Sequence, residues 1–404
     1  MKKPFRLSLT LILLLLVIIT SCSKDKNLLL SDNLNPSGSF AVNNTLSPLS
    51  DLEQLGKSIY FDKISVPNNM SCADCHASKV GFTGPIPGIN LHGSVYRGAV
   101  AQRFGDRKPP AAAYAGESPV LHFDDAEGLW IGGMFWDGRA TGWTLGDPLA
   151  EQALGPFLNP VEQNNPDVLT ILEKIVDAKY YWLWEKVYGE LSLDPTQWQE
   201  NYVKVGRAIA AYERSSEVSA FTSKFDYYLK GIVNLTALEL KGKELFEGKA
   251  MCSACHISEI GESGELPLFT DYTFDNLGVP KNPENPMYKT NPEFIDPGLG
   301  GFLKSAGYTE DVYLAEMGKH KVPTLRNVDK RPGNGFPKDY THNGAFKSLK
   351  EIVHFYNTRD VESWPAPEVA ENVNSDELGN LGLTDAEEDA IVAFMKTLSD
   401  GFIK

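Results

Sequence analysis

Cysteine is scarce in this chain. Five residues in 404 are too few for a fold stapled together by disulfides. Histidine is nearly as rare, at seven. Basic residues number 38 against 53 acidic, a formal charge of −15, so the chain lacks the cationic surface on which nucleic-acid binding depends. Long apolar runs are missing too: Leu11 to Ile19 spans nine residues, where a membrane-spanning helix requires about 20. No low-complexity block or extended repeat array occurs. What remains is enough chain for two domains with separate cores, and 35 glycines with 25 prolines imply long loops within them.

Four of the five cysteines fall in one motif written twice. Cys72-Ala73-Asp74-Cys75-His76 and Cys252-Ser253-Ala254-Cys255-His256 are both C-x-x-C-H, 180 residues apart. In this motif the two thiols form thioethers to the vinyl groups of a haem, and the adjacent histidine supplies the proximal ligand of its iron. A zinc ribbon places its cysteine pairs about 15–20 residues apart, and a thioredoxin-like site requires only one pair. Two covalent c-type haems, ligated by His76 and His256, are therefore expected.

The fifth cysteine bears on location. Lys2, Lys3 and Arg6 precede the apolar run, and Thr20-Ser21-Cys22 follows it, the pattern of an export signal. Ile19 to Cys22 is similar to a bacterial lipobox, in which the cysteine is lipidated. Residues 1–22 are thus expected to be a lipoprotein signal ending at Cys22, and 23–47, rich in Ser, Asn, Lys and Asp, a tether. Loss of the three basic residues would leave a net charge of −18. Haem attachment of this kind takes place outside the cytoplasm. The expected location is periplasm-facing, anchored to a bacterial membrane by lipid.

The surroundings of the two haem motifs also repeat. Apolar residues at helical spacing run from Pro48 to Phe61, and the pattern returns at Leu238 to Phe246; each stretch contains Gly-Lys and leads into C-x-x-C-H. Two later helices are expected to pack across them. Tyr202 to Arg214 is one; Thr384 to Leu398, opening with a Thr384…Glu387 capping box, is the other. The expected fold is mainly α, with two cytochrome c-like helical domains at 48–225 and 226–404. Segments 77–165 and 257–345 are expected to be long irregular loops.

Further motifs sharpen this. Phe135-Trp136-Asp137-Gly138-Arg139-Ala140, Gln152-Ala153-Leu154-Gly155-Pro156 with Asn159-Pro160-Val161-Glu162, Val322-Pro323-Thr324-Leu325-Arg326-Asn327, and His342-Asn343-Gly344 leading to Val353-His354-Phe355-Tyr356-Asn357 are long and non-repetitive. With the haem motifs they resemble the bacterial di-haem cytochrome c peroxidases, a family that includes the MauG-type enzymes, over roughly residues 48–400. The resemblance implies a peroxidatic haem in the N-terminal domain and a six-coordinate haem in the C-terminal one. It places the distal acid/base on Glu162 with Gln152 as its neighbour, and a relay for electrons or holes between the haems on Trp136. A carboxylate whose pKa is raised by burial suits the proton transfer that peroxide cleavage needs. The chain carries an insertion between Trp136 and Gln152 relative to the family's usual spacing.

The resemblance also bears on the remaining ligands. His92 matches a loop histidine that caps the peroxidatic iron in many members. Lys108 replaces an asparagine that commonly helps hold a calcium between the domains, and Asp329 to Asp339 is inserted at the second calcium segment, so calcium is in doubt. Fourteen residues after His342, where ordinary peroxidases present methionine, stands Tyr356, as in the MauG-type enzymes; Met317 is its rival as ligand to the second iron. Methionine favours ferrous iron, and a phenolate favours ferric and higher states. His122 and His320 carry no motif and read as surface or packing residues, His342 as structural or near a propionate of the second haem.

The function implied is reduction of hydrogen peroxide to water, with electrons passed through the second haem from a donor protein such as a small cytochrome c or cupredoxin. Two alternatives are a MauG-like oxidase acting on a partner protein's side chains and a pure electron-transfer cytochrome. A second copy of the chain is a further candidate partner.

Overall fold

A computed structural model describes residues 47–403; the leader, Cys22 and nearly all of the tether lie outside the described residues. Among the described residues the helices are α1 (Asp51–Phe61), α2 (Pro87–Leu91), α3 (Pro148–Leu158), α4 (Val168–Val176), α5 (Tyr181–Tyr188) and α6 (Trp198–Arg214). They continue with α7 (Lys224–Leu229), α8 (Ala237–Glu247), α9 (Gly298–Ser305), α10 (Glu310–Ala315), α11 (Leu349–Thr358) and α12 (Asp385–Lys396). Strands are few and short. β1 (His122–Asp124) pairs with β2 (Leu129–Ile131), and β3 (Phe274–Asp275) with β4 (His320–Lys321), both antiparallel.

Two helix crossings organise the chain. α1 begins with a capping box between Ser50 and Glu53, and α8 with one between Thr236 and Glu239, so each has its exposed N–H groups satisfied locally. α1 crosses α6 at Gly56, where a Cβ would collide with the Ala208 carbonyl. α8 crosses α12 at Gly242, where a Cβ would collide with the Ala390 carbonyl. Glycine is required at both points because backbone meets backbone without room for a side chain.

Around the first crossing Leu55, Ile59, Tyr60, Phe157, Trp184, Val205, Ile209 and Tyr212 form one core. Around the second, Phe225, Leu245, Phe246, Phe269, Phe355, Ile391, Phe394 and Leu398 form another. A smaller cluster of Leu121, Trp130, Phe274, Leu299 and Leu303 draws on segments from both halves of the sequence. The segments expected to be irregular are less so than their composition suggests: α3 lies in one, α9 and α10 in the other. α3 opens with Asp147 as N-cap, its carboxylate accepting from the Leu149 and Ala150 amides, and Pro148 at the first helical position.

Candidate functional site

Each C-x-x-C-H is held as a 3₁₀ turn, Cys72–Asp74 and Cys252–Ala254, and closes with the histidine amide bonding back to the first cysteine's carbonyl at 2.9 and 3.0 Å. Asp74 Oδ2 accepts from both the amide and the hydroxyl of Ser71, which fixes the approach to the first turn. His76 Nδ1 lies 3.2 Å from the Phe82 carbonyl and His256 Nδ1 lies 2.8 Å from the Phe269 carbonyl. A carbonyl only accepts, so Nδ1 carries the hydrogen in both rings and Nε2 keeps its lone pair. Burial lowers both histidine pKa values and keeps the rings neutral. A neutral imidazole oriented through Nδ1 is what an axial iron ligand requires.

Each turn opens onto its own cavity, of about 170 Å³ at the first and about 220 Å³ at the second. Both thiols and the histidine line each cavity; the rest of the second is largely apolar, whereas the first also carries charged side chains, among them Arg97, Asp106, Arg139, Glu162 and Glu213. The donor set, its spacing and its burial fit a covalently attached c-type haem in both places.

The first cavity is also walled by Leu149, Gln152, Ala153 and Pro156, one face of α3. Glu162 stands on the turn that follows this helix. Its amide donates to Asn159 O at 3.0 Å, its carbonyl accepts from Ala99 at 2.7 Å, and Gly98 packs directly on the Val161 and Glu162 backbone. Burial raises the Glu162 pKa, with Arg139 and an Asn159 hydrogen bond acting in the other direction. Glu162, Gln152 and the Cys72–His76 set thus meet in one cavity. His92 is not among its lining residues: its side chain is 66 % exposed and Nδ1 bonds Glu284 at 3.0 Å. α2 ends on the preceding residue and directs this ring toward Glu284, away from the cavity.

The second cavity is walled by Leu349, Ile352, Val353 and Tyr356, one face of α11. The Tyr356 phenol takes no hydrogen-bond partner among the described residues, and burial raises its pKa strongly. His354, on the other face, bonds Glu388 at 2.9 Å. Met317 does not line this cavity; its carbonyl is tied to Asn372, and Gly300 packs against its amide.

Trp136 lines both cavities, as do Lys108, Pro110 and Ala111. Its indole N–H donates to the Lys108 carbonyl at 2.9 Å, and its carbonyl accepts from the Lys321 amide of β4 at 2.8 Å. Gly138, at φ +75°, lets the loop fold back so that the Met134 amide reaches the Ala140 carbonyl. Arg107 braces the same wall. It donates to Asp137 at 2.6 Å and, through two nitrogens, to Asp296 at 2.6 Å each. Lys108 Nζ lies 4.0 Å from Asp339, and Lys338 Nζ nearby is surrounded by the carbonyls of Val80, Asn327 and Lys330. Burial, with Lys108 beside it, lowers the Lys338 pKa to about 7.

Four residues of the second cavity were not singled out as site residues from sequence. His320 is neither on the surface nor simply packed: its ring stacks on His342 with centroids 3.6 Å apart and planes 7° apart. Asp296 approaches His320 Nε2 at 3.3 Å, off the line of a good hydrogen bond, and Glu368 approaches His342 Nε2 at 3.4 Å. The parallel rings cannot aim both lone pairs at one ion, and Arg107 already grips Asp296, so this cluster is poorly built for a metal. In the first cavity, Glu213 is likewise absent from the sequence reading. Its position in a helical pattern suggests a solvated face, and only the tertiary packing buries it.

Comparison with known proteins places this geometry. The family described as di-haem cytochrome c peroxidase matches residues 50–234. The methylamine utilization protein MauG of Paracoccus denitrificans is 34 % identical over 366 residues, covering 86 % of this chain and 88 % of that one. The cytochrome-c peroxidase IdrP2 of Denitromonas iodatirespirans is 25 % identical over 362 residues, covering 87 % and 82 %. The crystal structure of the diheme peroxidase BthA from Burkholderia thailandensis superposes with a TM-score of 0.73 at 30 % identity, covering 88 % of this chain and 87 % of that one.

Proposed function

This chain belongs to the di-haem cytochrome c peroxidase family, and from that premise we propose that it reduces hydrogen peroxide to water in the His76 cavity, using electrons that enter through the His256 cavity from a donor protein. The family is di-haem and its members are oxidoreductases, so the chain is a two-haem enzyme of peroxidase type. When bound, the haems supply the redox equivalents and an open coordination position for peroxide. The chain's residues supply the rest. Glu162, as carboxylate, takes a proton from one peroxide oxygen and returns it to the other as the O–O bond breaks; two electrons and two further protons complete two waters. Gln152 orients peroxide without adding charge. Trp136, in the wall common to both cavities, relays electrons between them. His76 and His256 would hold the two haem irons, and Tyr356 would serve as a further ligand to the second. Burial raises the pKa of the Tyr356 phenol strongly, and the positive charge of a ferric iron would favour its deprotonation.

The observation that carries this reading is Glu162, buried and raised in pKa, in the same cavity as Cys72, Cys75 and His76. A pure electron carrier has no use for such a group. Tyr356 favours a second reading within the same fold, a MauG-like oxidation of a partner protein's side chain, because a phenolate stabilises oxidised iron where methionine would ease reduction. A stopped-flow spectrum after one equivalent of peroxide, with and without a reduced small cytochrome c, separates the two. Prompt oxidation of the cytochrome supports the peroxidase, and a long-lived oxidised state indifferent to it supports the oxidase.

Export and lipid anchoring at Cys22 belong to the same proposal, with residues 48–225 and 226–404 as the two haem-binding halves. Incorporation of labelled fatty acid into the parent but not into Cys22→Ser tests the anchor.

A further inference from the structure

Glu213 has no part in the reading above. It is the penultimate residue of α6, only 4 % exposed, and its Oε2 meets no hydrogen-bond partner among the described residues. Its side chain lines the first cavity beside Cys72 and Tyr60. A buried carboxyl normally has a partner, because an unpaired charge in such a place costs several kcal/mol.

Among the described residues no cation is paired with Glu213. Arg214, its neighbour on α6, is taken by Asp147 through two bonds of 3.0 and 2.8 Å and by the Gly116 carbonyl. Lys57 of α1 pairs with Glu217 at 2.6 Å. Tyr60 of α1 turns its hydroxyl to the His76 carbonyl at 2.8 Å, and Gln163 turns its amide nitrogen to Cys72 Sγ at 3.7 Å. Asp147, the N-cap of α3, is itself negative; the cavity is also lined by the carboxyls of Glu162 and Asp106 and by Arg97, Arg107, Lys108 and Arg139, of which Arg107 and Arg139 bond Asp137 and Lys108 faces Asp339. The protein therefore leaves Glu213 to whatever fills the cavity. Burial pushes its carboxyl up to about 8, so that it titrates near neutrality.

We infer that Glu213 is the proton-binding group coupled to the first haem, taking up one proton when the iron at His76 is reduced by one electron and releasing it on oxidation. The inference rests on a haem being attached at Cys72–His76, not on peroxide being the substrate. Ferric haem with a neutral histidine carries one net positive charge at its centre, and the ferrous form carries none. In a cavity of low dielectric that single charge decides whether the carboxylate is tolerated. The balance is simple: one electron joins the iron, one proton from solvent joins Glu213, and no covalent bond to carbon changes. Electrons then reach the first cavity with their charge compensated, and each brings a proton of the kind that peroxide reduction consumes.

Spectroelectrochemical titration of the first haem at a series of pH values tests this in the parent, Glu213→Gln and Glu162→Gln holoproteins. The parent potential is expected to fall by about 59 mV per pH unit through the neutral range, the one-electron equivalent of a tenfold change in equilibrium constant. Glu213→Gln is expected to be flat, and Glu162→Gln to keep the slope. A flat parent, or an unchanged slope in Glu213→Gln, overturns the inference. Should that variant not assemble, a flat parent still overturns the inference. A reduced-minus-oxidised infrared difference spectrum should show a protonated-carboxyl band that gains intensity on reduction, shifts in D2O and survives Glu162→Gln. Its absence overturns the inference equally. Peroxide turnover, assayed separately, reports on the proposed function; its loss with the potential slope intact distinguishes failure of that reading from failure of this one.

Discussion

In the first cavity a phenylalanine carbonyl holds the proximal histidine at 3.2 Å, and in the second another holds it at 2.8 Å; in each, a helix presents residues of one face to the cavity. The facing helices even share their spacing. Leu149, Gln152, Ala153 and Pro156 on α3 answer to Leu349, Ile352, Val353 and Tyr356 on α11, positions i, i+3, i+4 and i+7 in both. Three of the four differ, and two of those differences change the chemistry on offer. Where the second helix carries a phenol, the first carries proline, which has no donor atom to offer a metal. Where the second carries isoleucine, the first carries glutamine, and a glutamate waits on the turn beyond. On the proposed reading, one scaffold gives a closed site or an open one by exchanging side chains on a single helical face.

The largest expected effect comes from removing what makes the first cavity reactive. Glu162→Gln should slow the reaction with peroxide by about 10²–10⁴-fold in stopped-flow measurements, the usual contribution of a positioned acid/base. The parent rate should also fall toward low pH, because the base must be deprotonated. Since burial raises the Glu162 pKa, the midpoint should lie above the ordinary glutamate value of about 4.3, and the variant should lack this limb. A parent rate without that limb would break the assignment.

Next is Tyr356, the proposed ligand in the second cavity. Tyr356→Met should raise the second haem's potential by on the order of 0.1 V, within the roughly 0.8 V range that axial ligands command. Potentiometry with optical detection reads it, and an unchanged spectrum and potential would remove Tyr356 from the coordination sphere. The two crossings provide a third test of how alike the halves are. Gly56→Ala and Gly242→Ala should each destabilise the protein by about 2–3 kcal/mol in denaturant unfolding, because each forces a methyl group against a carbonyl. Similar costs would support a common design, and a large disparity would argue against it. The smallest effect is expected at His92. His92→Ala should change stability by no more than about 0.5 kcal/mol, since among the described residues the ring's one bond is an exposed one to Glu284. A changed first-haem spectrum in that variant would show that the loop closes over the iron in the oxidised holoprotein.

Much of this was legible in the sequence because the signals are local. The haem turns are five contiguous residues, and α8 and α12 announce themselves with Thr236…Glu239 and Thr384…Glu387 boxes. α3 had such signals too, in Asp147 followed by Pro148, but its glycine and proline content made the segment read as loop. The cluster around His320 had none. His320 meets His342 only because β4 pairs with β3 and the intervening chain folds back, and Asp296 and Glu368 come from two further segments. Glu213 is hidden for a related reason: in a helical pattern it looks like any charged residue beside an arginine, and only the commitment of Arg214 to Asp147 leaves it unpaired.

Arg107 bonds Asp137, next to the tryptophan in the common wall, and Asp296, beside the histidine pair of the second cavity. It therefore acts as a ruler. Sliding one cavity relative to the other would pull a buried guanidinium from one of its two carboxylates, at a cost far above thermal energy. The gap an electron must tunnel across is thus set by covalent bond lengths within one side chain, and the rate of crossing should be nearly indifferent to solvent viscosity.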